Sequence, residues 1–559
     1  MKVLSALGAM GIAASSVFGL EAPITVDQDR SNEVMTALTL DADVMEQLRF
    51  EDRMVLEAFP LDTVTSVDLD LQRRDVFDDT VLVLASGDQE FPFEAPDLHA
   101  FGGTVGGDPS SLVFLAFSDY GLEGIIDYQG ETWVISRGER DDDPIAIYNL
   151  TTLPEGVINW AEFVCHADEI QQPVLEAGPV TVTTRGDECR RIEIAIDTDQ
   201  EYLGIFGGDE IEASVYLGTL LGAISEVYVR DVFTYIDVVY LRLWDSIDPW
   251  TGGDTVDELL AVSAFWEANM GHINRDVVHF ISGRGLGGGV AWLPGLCNGP
   301  YAYAVSANIE GRFPYPRRDN DSRNWDFMVV AHELGHNCGG PHTHDQTPRI
   351  DNCAGGDCTV TPNGTIMSYC HLCPGGLSNI KLQFHPQTIN SYMLPFLRGL
   401  GCEMDCRVGL KVTYPGEAPT EIRSDEETDV TVFVTGTLTQ PVPETATLHY
   451  NVGDGWLTAP IEHVSGLYYN AVLPPVECGG AIDYYVRIQG DNGQWYRAPG
   501  AGEFVHAISA VSYRDIYRAN FETDAGFTTE HVDLIDGEWE RVVPTTRGIR
   551  FTPDNDYDG

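Results

Sequence analysis

His-Glu-Leu-Gly-His-Asn-Cys-Gly-Gly-Pro-His, at residues 332–342, follows an apolar lead-in at residues 324–331. The lead-in is apolar enough to form a buried helix that continues into the quoted stretch. His332 and His336 are four residues apart, so on a helix they share one face and their imidazoles point to a common centre. The spacing therefore predicts a helix that presents two nitrogen ligands side by side.

The residues around these histidines complete a metal site. Gly339 stands where the helix must stop, and a glycine permits the backbone turn that returns His342 to the same centre. Three neutral nitrogen ligands with an open fourth position are typical of catalytic rather than structural zinc. Glu333, next to the first ligand, is placed to hold a metal-bound water and accept its proton. His344 is the alternative third ligand, but the spacing favours His342.

The long form H-E-x-x-H-x-x-G-x-x-H resembles the signature of the metzincin zinc endopeptidases. Metzincins follow it with a methionine-containing turn beneath the metal, and residues 364–369, Gly-Thr-Ile-Met-Ser-Tyr, fit that turn. The clustered cysteines and the Ile-Met-Ser sequence look most like the adamalysin (reprolysin) branch, whose members are made as latent precursors. Thr343 stands where adamalysins usually have Asp, and Asp345 comes two residues later. The resemblance covers residues 189–406 and implies a zinc endopeptidase with Met367 in its Met-turn.

Tyr369 follows the methionine by two residues and resembles the tyrosine that astacins and serralysins place near zinc. A phenol in that place would bind the metal or stabilise the oxyanion. The alternative is a buried tyrosine that packs below the site.

The whole chain is long and strongly acidic. It has 559 residues, with 32 Lys and Arg against 87 Asp and Glu, which gives a net charge of −55. At roughly 100–200 residues per domain, this length allows about three or four domains. Hydrophobic residues at 43% and aromatics at 10% are globular values, so the acidity belongs to a folded surface. Such a charge repels phosphate backbones and anionic lipid, so we expect neither nucleic-acid nor membrane partners.

The N-terminus predicts export. Residues 1–19 combine Lys2, an apolar stretch and small residues, which is the pattern of a secretory signal peptide. No later stretch reaches about 18 uninterrupted apolar residues, so we expect no membrane span and a secreted protein. Eleven cysteines in an exported chain indicate disulfides. Ten of them lie at Cys189 or beyond and can pair among themselves, while Cys165 stands alone upstream.

Changes in pattern predict a multidomain protein. Residues 20–185 show period-two runs between turns, as at 80–84, and predict a mostly β, propeptide-like domain. Residues 186–406 alternate strands with helices, which favours an α/β, metzincin-like catalytic domain. Residues 407–510 predict an all-β sandwich resembling fibronectin-III or immunoglobulin-like domains, and residues 511–559 the start of a further β module or a tail.

The upstream cysteine suggests how a precursor would be kept latent. A thiolate is a good zinc ligand, so Cys165 would occupy the fourth metal position and exclude the catalytic water until the segment is removed. Adamalysin precursors are thought to use such a cysteine. The alternative is a free buried thiol. Arg185 and the pair Arg190-Arg191 offer basic cleavage points.

Two further patterns carry weaker signals. Residues 283–288 match G-x-G-x-x-G, but a strand-like, proline-broken stretch follows where a dinucleotide site needs a helix. In metzincins the corresponding stretch resembles the edge strand to which an extended peptide substrate adds. Asp319, Asp321 and the acidic run at 554–558 make Ca²⁺ a candidate second metal, although they lack the loop pattern of strong calcium sites.

The remaining histidines and a short basic run are expected to be structural. These histidines lack ligand spacing with one another and are assigned to packing or to the surface: His272, His279, His371 and His385. The basic run before the signature helix is assigned to solvated loop charge, with substrate contact as the alternative: Arg312, Arg317 and Arg318.

Together these features predict a secreted, latent zinc metalloendopeptidase that hydrolyses peptide bonds in protein or peptide substrates. The competing hypothesis is a catalytically inert metzincin-like adhesion or binding protein, in which the β-sandwich supplies the function. Retention of Glu333 and of all three signature histidines favours the enzyme, because the loss of any one would mark an inactive site.

Overall fold

A computed structural model describes residues 19–510 with internal gaps, of which the longest are 171–189 and 317–325. The shorter gaps, of one to six residues each, lie between residues 22 and 169 and between residues 401 and 503. Residues 1–18 of the signal peptide predicted at 1–19, and the segment 511–559, lie outside the described residues. Within the described part of the chain, no helix is both long and apolar enough to cross a membrane.

The N-terminal part is all-β, as its period-two runs predict. Its strands form one sheet in the order β1-β4-β5-β8-β9-β10-β11-β12-β3-β2, antiparallel except where β1 pairs with β4. Alternate residues of these strands bury one face, which contains Leu69, Phe101 and Val113. The strands are β1 (Gly19–Glu21), β2 (Ile24–Asp27), β3 (Thr36–Leu40), β4 (Arg53–Pro60), β5 (Ser66–Arg74), β8 (His99–Val105), β9 (Leu112–Ser118), β10 (Gly121–Tyr128), β11 (Glu131–Ser136) and β12 (Ile145–Asn149).

A second, mixed sheet supports the signature region. It runs β13-β17-β18-β16-β14-β15-β6-β7, and β19 adds to β14. Its strands are β6 (Val81–Ser86), β7 (Gln89–Pro92), β13 (Val164–Cys165), β14 (Arg190–Thr198), β15 (Thr234–Ser246), β16 (Val277–Ile281), β17 (Gly288–Ala291), β18 (Tyr303–Ser306) and β19 (Met404–Asp405).

Helices pack against this sheet and follow its strands in the chain. The longer ones are α1 (Gln200–Ile205), α2 (Glu210–Val232), α3 (Thr255–Asn269) and α4 (Asp326–Asn337). A continuous helical segment before β19 comprises α5 (Pro386–Thr388), a π-helical turn (Ile389–Met393) and α6 (Leu394–Leu397). Short 3₁₀ turns lie at Gly299–Tyr301, Cys353–Gly355, Cys370–Leu372 and Gly376–Asn379. Aspartate side chains cap the N-termini of α1, α2 and α3. At the start of α2, Asp209 accepts hydrogen bonds from the N–H groups of Ile211 and Glu212 at 3.0 and 2.9 Å.

The N-terminal part is interlocked with the second sheet. β6 lies within that sheet and pairs in parallel with β15. Leu82 and Leu84 on one face of β6 join the core beneath the sheet, and Val83 and Ala85 on the other face join a separate core. Sequence patterning finds the strand at 80–84 but not its partner, because the pairing joins residues far apart in the chain.

Helix α2 packs on the face of the N-terminal sheet that carries Phe114. At Gly222 an added Cβ would lie 2.6 Å from the ring of Phe114 in β9, so glycine permits the close approach. Glu226 of α2 forms a buried ion pair with Arg74 of β5. Ser136 Oγ donates to the carbonyl of Phe313 at 2.7 Å. These contacts bury one continuous core between the two sheets.

The disulfides correct one sequence expectation. Three pairs lie within the described residues, Cys297–Cys402, Cys353–Cys370 and Cys358–Cys373, and they tie together the chain that follows α4. Cys338 and Cys478 are free, so the ten downstream cysteines do not all pair. Cys338 is enclosed in the core at the end of α4, and Cys478 lies exposed in the C-terminal domain.

The C-terminal domain is a β-sandwich. One of its sheets, here the docking sheet, contains β20 (Leu410–Thr413), β22 (Thr428–Gly436), β25 (Glu462–Ser465) and β26 (Tyr468–Leu473). The other, here the aromatic sheet, contains β21 (Glu421–Arg423), β23 (Pro441–Asn451), β24 (Trp456–Pro460), β27 (Ala481–Gly490), β28 (Trp495–Ala498) and β29 (Val505–Ala510). Their inner faces meet in a core that includes Val432, Leu448 and Tyr484.

The sandwich contacts the N-terminal part through its docking sheet. Gln72 Nε2 donates to the carbonyl of Gly436 at 3.3 Å. A cavity of about 290 Å³ lies beside this contact, between Phe77 and Asp75 on one side and Phe433 and Lys411 on the other. The aromatic sheet lies on the far side of the sandwich.

Candidate metal centre

Helix α4 carries the signature residues in a wholly buried environment. His332, Glu333 and His336 all lie on it, with no exposed fraction. Gly335 faces the predicted Met-turn, and an added Cβ there would lie 2.7 Å from Sδ of Met367. A small residue is therefore required for the Met-turn to pack directly beneath the helix.

The turn after α4 brings the third histidine back to the helix. Gly339 has a φ of +86°, a left-handed conformation that other residues adopt only with strain. His342 then lies with its Nε2 atom 3.1 Å from Nε2 of His336. Thr343, which follows, donates its backbone N–H to the carbonyl of Met367 at 3.0 Å and so ties the turn to the Met-turn.

Hydrogen bonds at the outer nitrogens orient the helix histidines. Nδ1 of His332 lies 2.6 Å from the carbonyl of Ile366, and Nδ1 of His336 lies 2.8 Å from the carbonyl of Gly340. Because a carbonyl only accepts, each Nδ1 carries the hydrogen and each Nε2 presents a lone pair to the centre. Nδ1 of His342 faces Asp345, whose Oδ2 lies 3.6 Å away.

Burial also fixes the charge of these rings. The pKa of His332 and that of His336 lie well below the ordinary value, first because burial penalises the charged form and then because His342 is close. The imidazoles are therefore neutral and suited to bind a metal. Ligand atoms of Cys165, His332, His336 and His342 all lie within 4.8 Å of one another. Three imidazole nitrogens and a thiol sulfur are a donor set that fits Zn²⁺.

Glu333 points into the same centre. Its Oε2 lies 3.5 Å from Sγ of Cys165, and its Oε1 is buried with no hydrogen-bond partner among the described residues. Burial raises the pKa of this carboxyl to about 8. The space that it occupies exists because residue 289 is glycine, since an added Cβ on Gly289 would collide with the Glu333 carboxyl.

The upstream cysteine reaches the centre on a short strand. β13 pairs in parallel with β17, where Cys165 lies opposite Gly289, and the N–H of His166 donates to the carbonyl of Gly289 at 2.9 Å. Sγ of Cys165 lies 3.4 Å from Nε2 of His336. The G-x-G-x-x-G stretch leads into β17, which is next to the edge strand β13, and within the described part of the chain no helix starts there.

Tyr369 lies beside the histidines with its hydroxyl on the upstream segment. Its ring centroid is 4.9 Å from that of His342, and its hydroxyl donates to the carbonyl of Cys165 at 2.9 Å. His344 stacks on His342 with ring centroids 5.0 Å apart, but it is His342 that shares the centre with His332 and His336.

Three of the remaining histidines, the basic run and the candidate calcium ligands lie away from the histidine centre or outside the described residues. His279 is buried and hydrogen-bonded to Ser306 at 2.8 Å, His272 is exposed, and His385 caps α5. Arg312 is buried and forms an ion pair with Glu310, so its assignment to solvated loop charge was wrong. Arg317, Arg318, Asp319, Asp321 and the run 554–558 lie outside the described residues.

Sequence reasoning missed one neighbour of the centre. Gly289 lies one residue beyond the glycine motif, and only the fold shows that it makes room for Glu333. His371, assigned to packing or to the surface, is buried and packs against Tyr369 with ring centroids 5.8 Å apart.

Comparison with known proteins gives consistent matches over this region. Residues 188–379 match the family model Reprolysin_5, metallo-peptidase family M12. The chain is 30% identical over 142 residues to disintegrin and metalloproteinase domain-containing protein 1a of Mus musculus, covering 24% of this chain and 17% of that protein. It is 27% identical over 159 residues to disintegrin and metalloproteinase domain-containing protein 1 of Rattus norvegicus, covering 28% and 19%. It thus spans less than a fifth of these relatives' length.

Among solved structures, metalloproteinase-II from Bacteroides fragilis has a TM-score of 0.33 and 13% identity, over 64% of this chain and 94% of that chain. Residues 188–379 thus match the reprolysin-type metallopeptidase family and contain the metzincin signature. The matched family is one of metallopeptidases, and the disulfides of this chain fit an extracellular protein.

Proposed function

We propose that this chain, which carries a reprolysin-type metzincin domain, is a secreted zinc endopeptidase made as a latent precursor. The observation that carries the proposal is the convergence of His332, His336, His342 and Cys165 within 4.8 Å, with Glu333 beside them. A structural zinc site would have no use for a buried carboxylate aimed at its centre. The catalytic reading explains both the carboxylate and the signature.

The chemistry divides between the metal and the protein. His332, His336 and His342 would hold Zn²⁺, which when bound would supply the Lewis acidity that polarises a scissile carbonyl. Glu333 would accept the proton of the attacking water and pass it to the leaving amine. The Nδ1 hydrogen bonds of His332 and His336 hold both rings in the tautomer that leaves Nε2 free for the metal.

Cys165 accounts for latency in this proposal. Its sulfur lies where a fourth ligand would bind, and its strand β13 covers the edge of β17. Tyr369 holds the same segment through the Cys165 carbonyl, so its hydroxyl becomes available to an oxyanion once the segment leaves.

The proposed substrate is an extended peptide or protein segment. With residues 164–166 displaced, β17 would offer unpaired backbone groups along the edge that β13 now covers. An extended chain would add to this edge as a strand, which brings its backbone next to Glu333. The interlock of β6 with β15 keeps the sheet intact during that exchange.

Casein cleavage by the full chain tests the proposal. The protein is purified with zinc, processed by limited trypsin, freed of trypsin activity with an inhibitor, and assayed with and without 1,10-phenanthroline. We expect cleavage that the chelator abolishes and added Zn²⁺ restores. Glu333→Gln, processed in the same way, should keep its zinc and lose about 10²–10⁴ in turnover.

Two results would contradict the proposal. Equal cleavage by Glu333→Gln would show that another group is the base. A processed, zinc-loaded protein that cleaves neither casein nor a peptide library would favour the inert adhesion protein instead.

A further inference from the structure

The outer face of the aromatic sheet collects side chains from neighbouring strands. In β27 alternate residues point outward, and they include Tyr485 and Arg487. The register places His449 of β23 opposite Tyr485, and Arg497 of β28 opposite Arg487. Because directly paired residues share a face of the sheet, all four lie on the outer side. Trp495 pairs with Gln489 and therefore shares this face.

Aromatic rings form a continuous group on this face. Tyr485 stacks on His449 with centroids 4.6 Å apart and an interplanar angle of 5°. Trp456 lies 5.1 Å from Tyr485 and 5.9 Å from Phe504, measured between ring centroids. Trp456, Trp495 and Phe504 are 46%, 45% and 48% exposed. A cluster of large aromatic side chains with this exposure is a feature of interaction sites.

Arginine side chains alternate with the rings. The guanidinium carbon of Arg497 lies 3.7 Å from the ring centroid of Tyr485, and that of Arg487 lies 4.3 Å from Trp495. Nε of Arg497 also donates to the carbonyl of Pro499 at 3.0 Å, which fixes this guanidinium over the Tyr485 ring. Nε of Arg487 is buried and lacks a hydrogen-bond partner among the described residues.

The local charge contrasts with the rest of the molecule. The chain carries a net charge of −55 with only 32 Lys and Arg in its 559 residues. Yet Arg487 and Arg497 lie directly opposite each other on this face. The same face carries one carboxylate, Asp483, whose Oδ1 lies 2.6 Å from Nδ1 of His506. Two arginines against one carboxylate give this face a local positive charge, which attracts an anionic partner that the remaining surface repels.

This face is also directed away from the rest of the protein. The sandwich contacts the N-terminal part through the docking sheet, by way of Gln72 and Gly436. The aromatic sheet lies on the other side of the sandwich core, so its outer face does not take part in that contact.

We propose that the outer face of the aromatic sheet binds an acidic polysaccharide, a glycan that bears carboxylate or sulfate groups. The half-exposed rings of Trp456, Trp495 and Phe504 would pack against the C–H faces of sugar rings, whose positive hydrogens meet the negative ring faces. Arg487 would pair with an anionic group through its planar N–H edge, and the charge of Arg497 beside it would add to the attraction. Tyr485, held between His449 and Arg497, fixes the spacing of the rings.

Affinity electrophoresis of the full chain tests this proposal. Native gels contain sodium alginate, which bears carboxylates, λ-carrageenan, which bears sulfates, or uncharged dextran. We expect alginate or carrageenan to retard the protein in a salt-dependent way, and dextran to leave it unretarded. Trp456→Ala and Arg487→Gln should each weaken binding about tenfold, which corresponds to about 1.4 kcal/mol.

Matched controls separate recognition from folding. Val464→Ala removes an exposed apolar side chain from β25 of the docking sheet and should bind like the wild type. Arg487→Lys keeps the charge but loses the planar edge, so it should bind more weakly than wild type and more tightly than Arg487→Gln. Each variant's thermal unfolding is recorded, and cleavage of a soluble peptide should be unchanged in all of them.

Several outcomes would overturn the proposal. These are no retardation by either acidic polysaccharide, equal retardation by dextran, or wild-type binding by a folded Trp456→Ala protein. Stronger retardation by single-stranded DNA than by either polysaccharide would assign the face to nucleic acid instead. None of these results depends on peptidase activity.

Discussion

Sγ of Cys165 lies 3.4 Å from Nε2 of His336, although 171 residues separate them in the sequence. The thiol also lies 3.5 Å from the Glu333 carboxylate, so one sulfur touches both a histidine of the signature and the proposed base. This relationship supports a latent precursor more directly than any feature of the N-terminal part alone.

Cys165→Ala in the uncleaved chain should raise activity on a small fluorogenic peptide by at least about tenfold. The physical reason is that alanine cannot supply the sulfur ligand, so water gains access to the metal. Cys478→Ala, at an exposed free cysteine of the sandwich, is the matched control and should be silent. If Cys165→Ala stays as inactive as the parent, steric cover by β13 is what holds the precursor off.

Gly289→Ala should lower kcat by about tenfold or more without loss of zinc. The added Cβ would collide with the Glu333 carboxyl and displace the proposed base, and a displacement of about 1 Å is enough for such an effect. Gly285→Ala, where an added Cβ meets nothing within 4 Å, is the control. Equal activity of the two processed variants would mean that Glu333 tolerates the shift.

Asp345→Asn should weaken zinc binding by about 10–100-fold, measured by competition with a chelator. Its carboxylate faces Nδ1 of His342 from 3.6 Å, and the pKa of Asp345 is lowered, first through its hydrogen bond with His342. Asn keeps the shape but loses the charge that favours the Nδ1–H tautomer. Asp425→Asn, on the exposed surface of the sandwich, should leave zinc affinity unchanged. If Asp345→Asn binds zinc as tightly as the wild type, the Asp345 carboxylate does not act on the metal through His342.

Leu84→Ala should destabilise the protein by about 2–5 kcal/mol, seen as a lower unfolding midpoint in denaturant. Leu84 is 5% exposed and packs in the core beneath the second sheet, of which β6 is a strand. Val81→Ala on the same strand is 50% exposed and should cost much less. Similar losses for both would indicate that β6 contributes little to this core.

The convergence of the three signature histidines could be predicted from the sequence because its geometry is local. A helix sets the separation of His332 and His336, and a single glycine sets the turn that brings His342 back. These relationships depend on fewer than a dozen consecutive residues, so the sequence expresses them directly.

Other features depend on pairings that no local pattern contains. Cys165 reaches the centre through a strand pairing with β17, and Gly289 matters only because Glu333 lies under it. The expectation that all downstream cysteines pair was wrong for Cys338, because the end of α4 turns it into the core. Sequence composition counts thiols but does not say which way each one points.

The place of β6 within the second sheet bears on what a proteolytic cut of the proposed precursor would produce. A cut after Arg185 would break the chain but leave β6 hydrogen-bonded to β15, so the product would be a heterodimer of two polypeptides from one precursor. Residues 164–167 would belong to the polypeptide that β6 keeps bound. Their effective concentration at the centre would stay high, so Cys165 would become a reversible competitor of the substrate within the complex rather than an inhibitor that diffuses away.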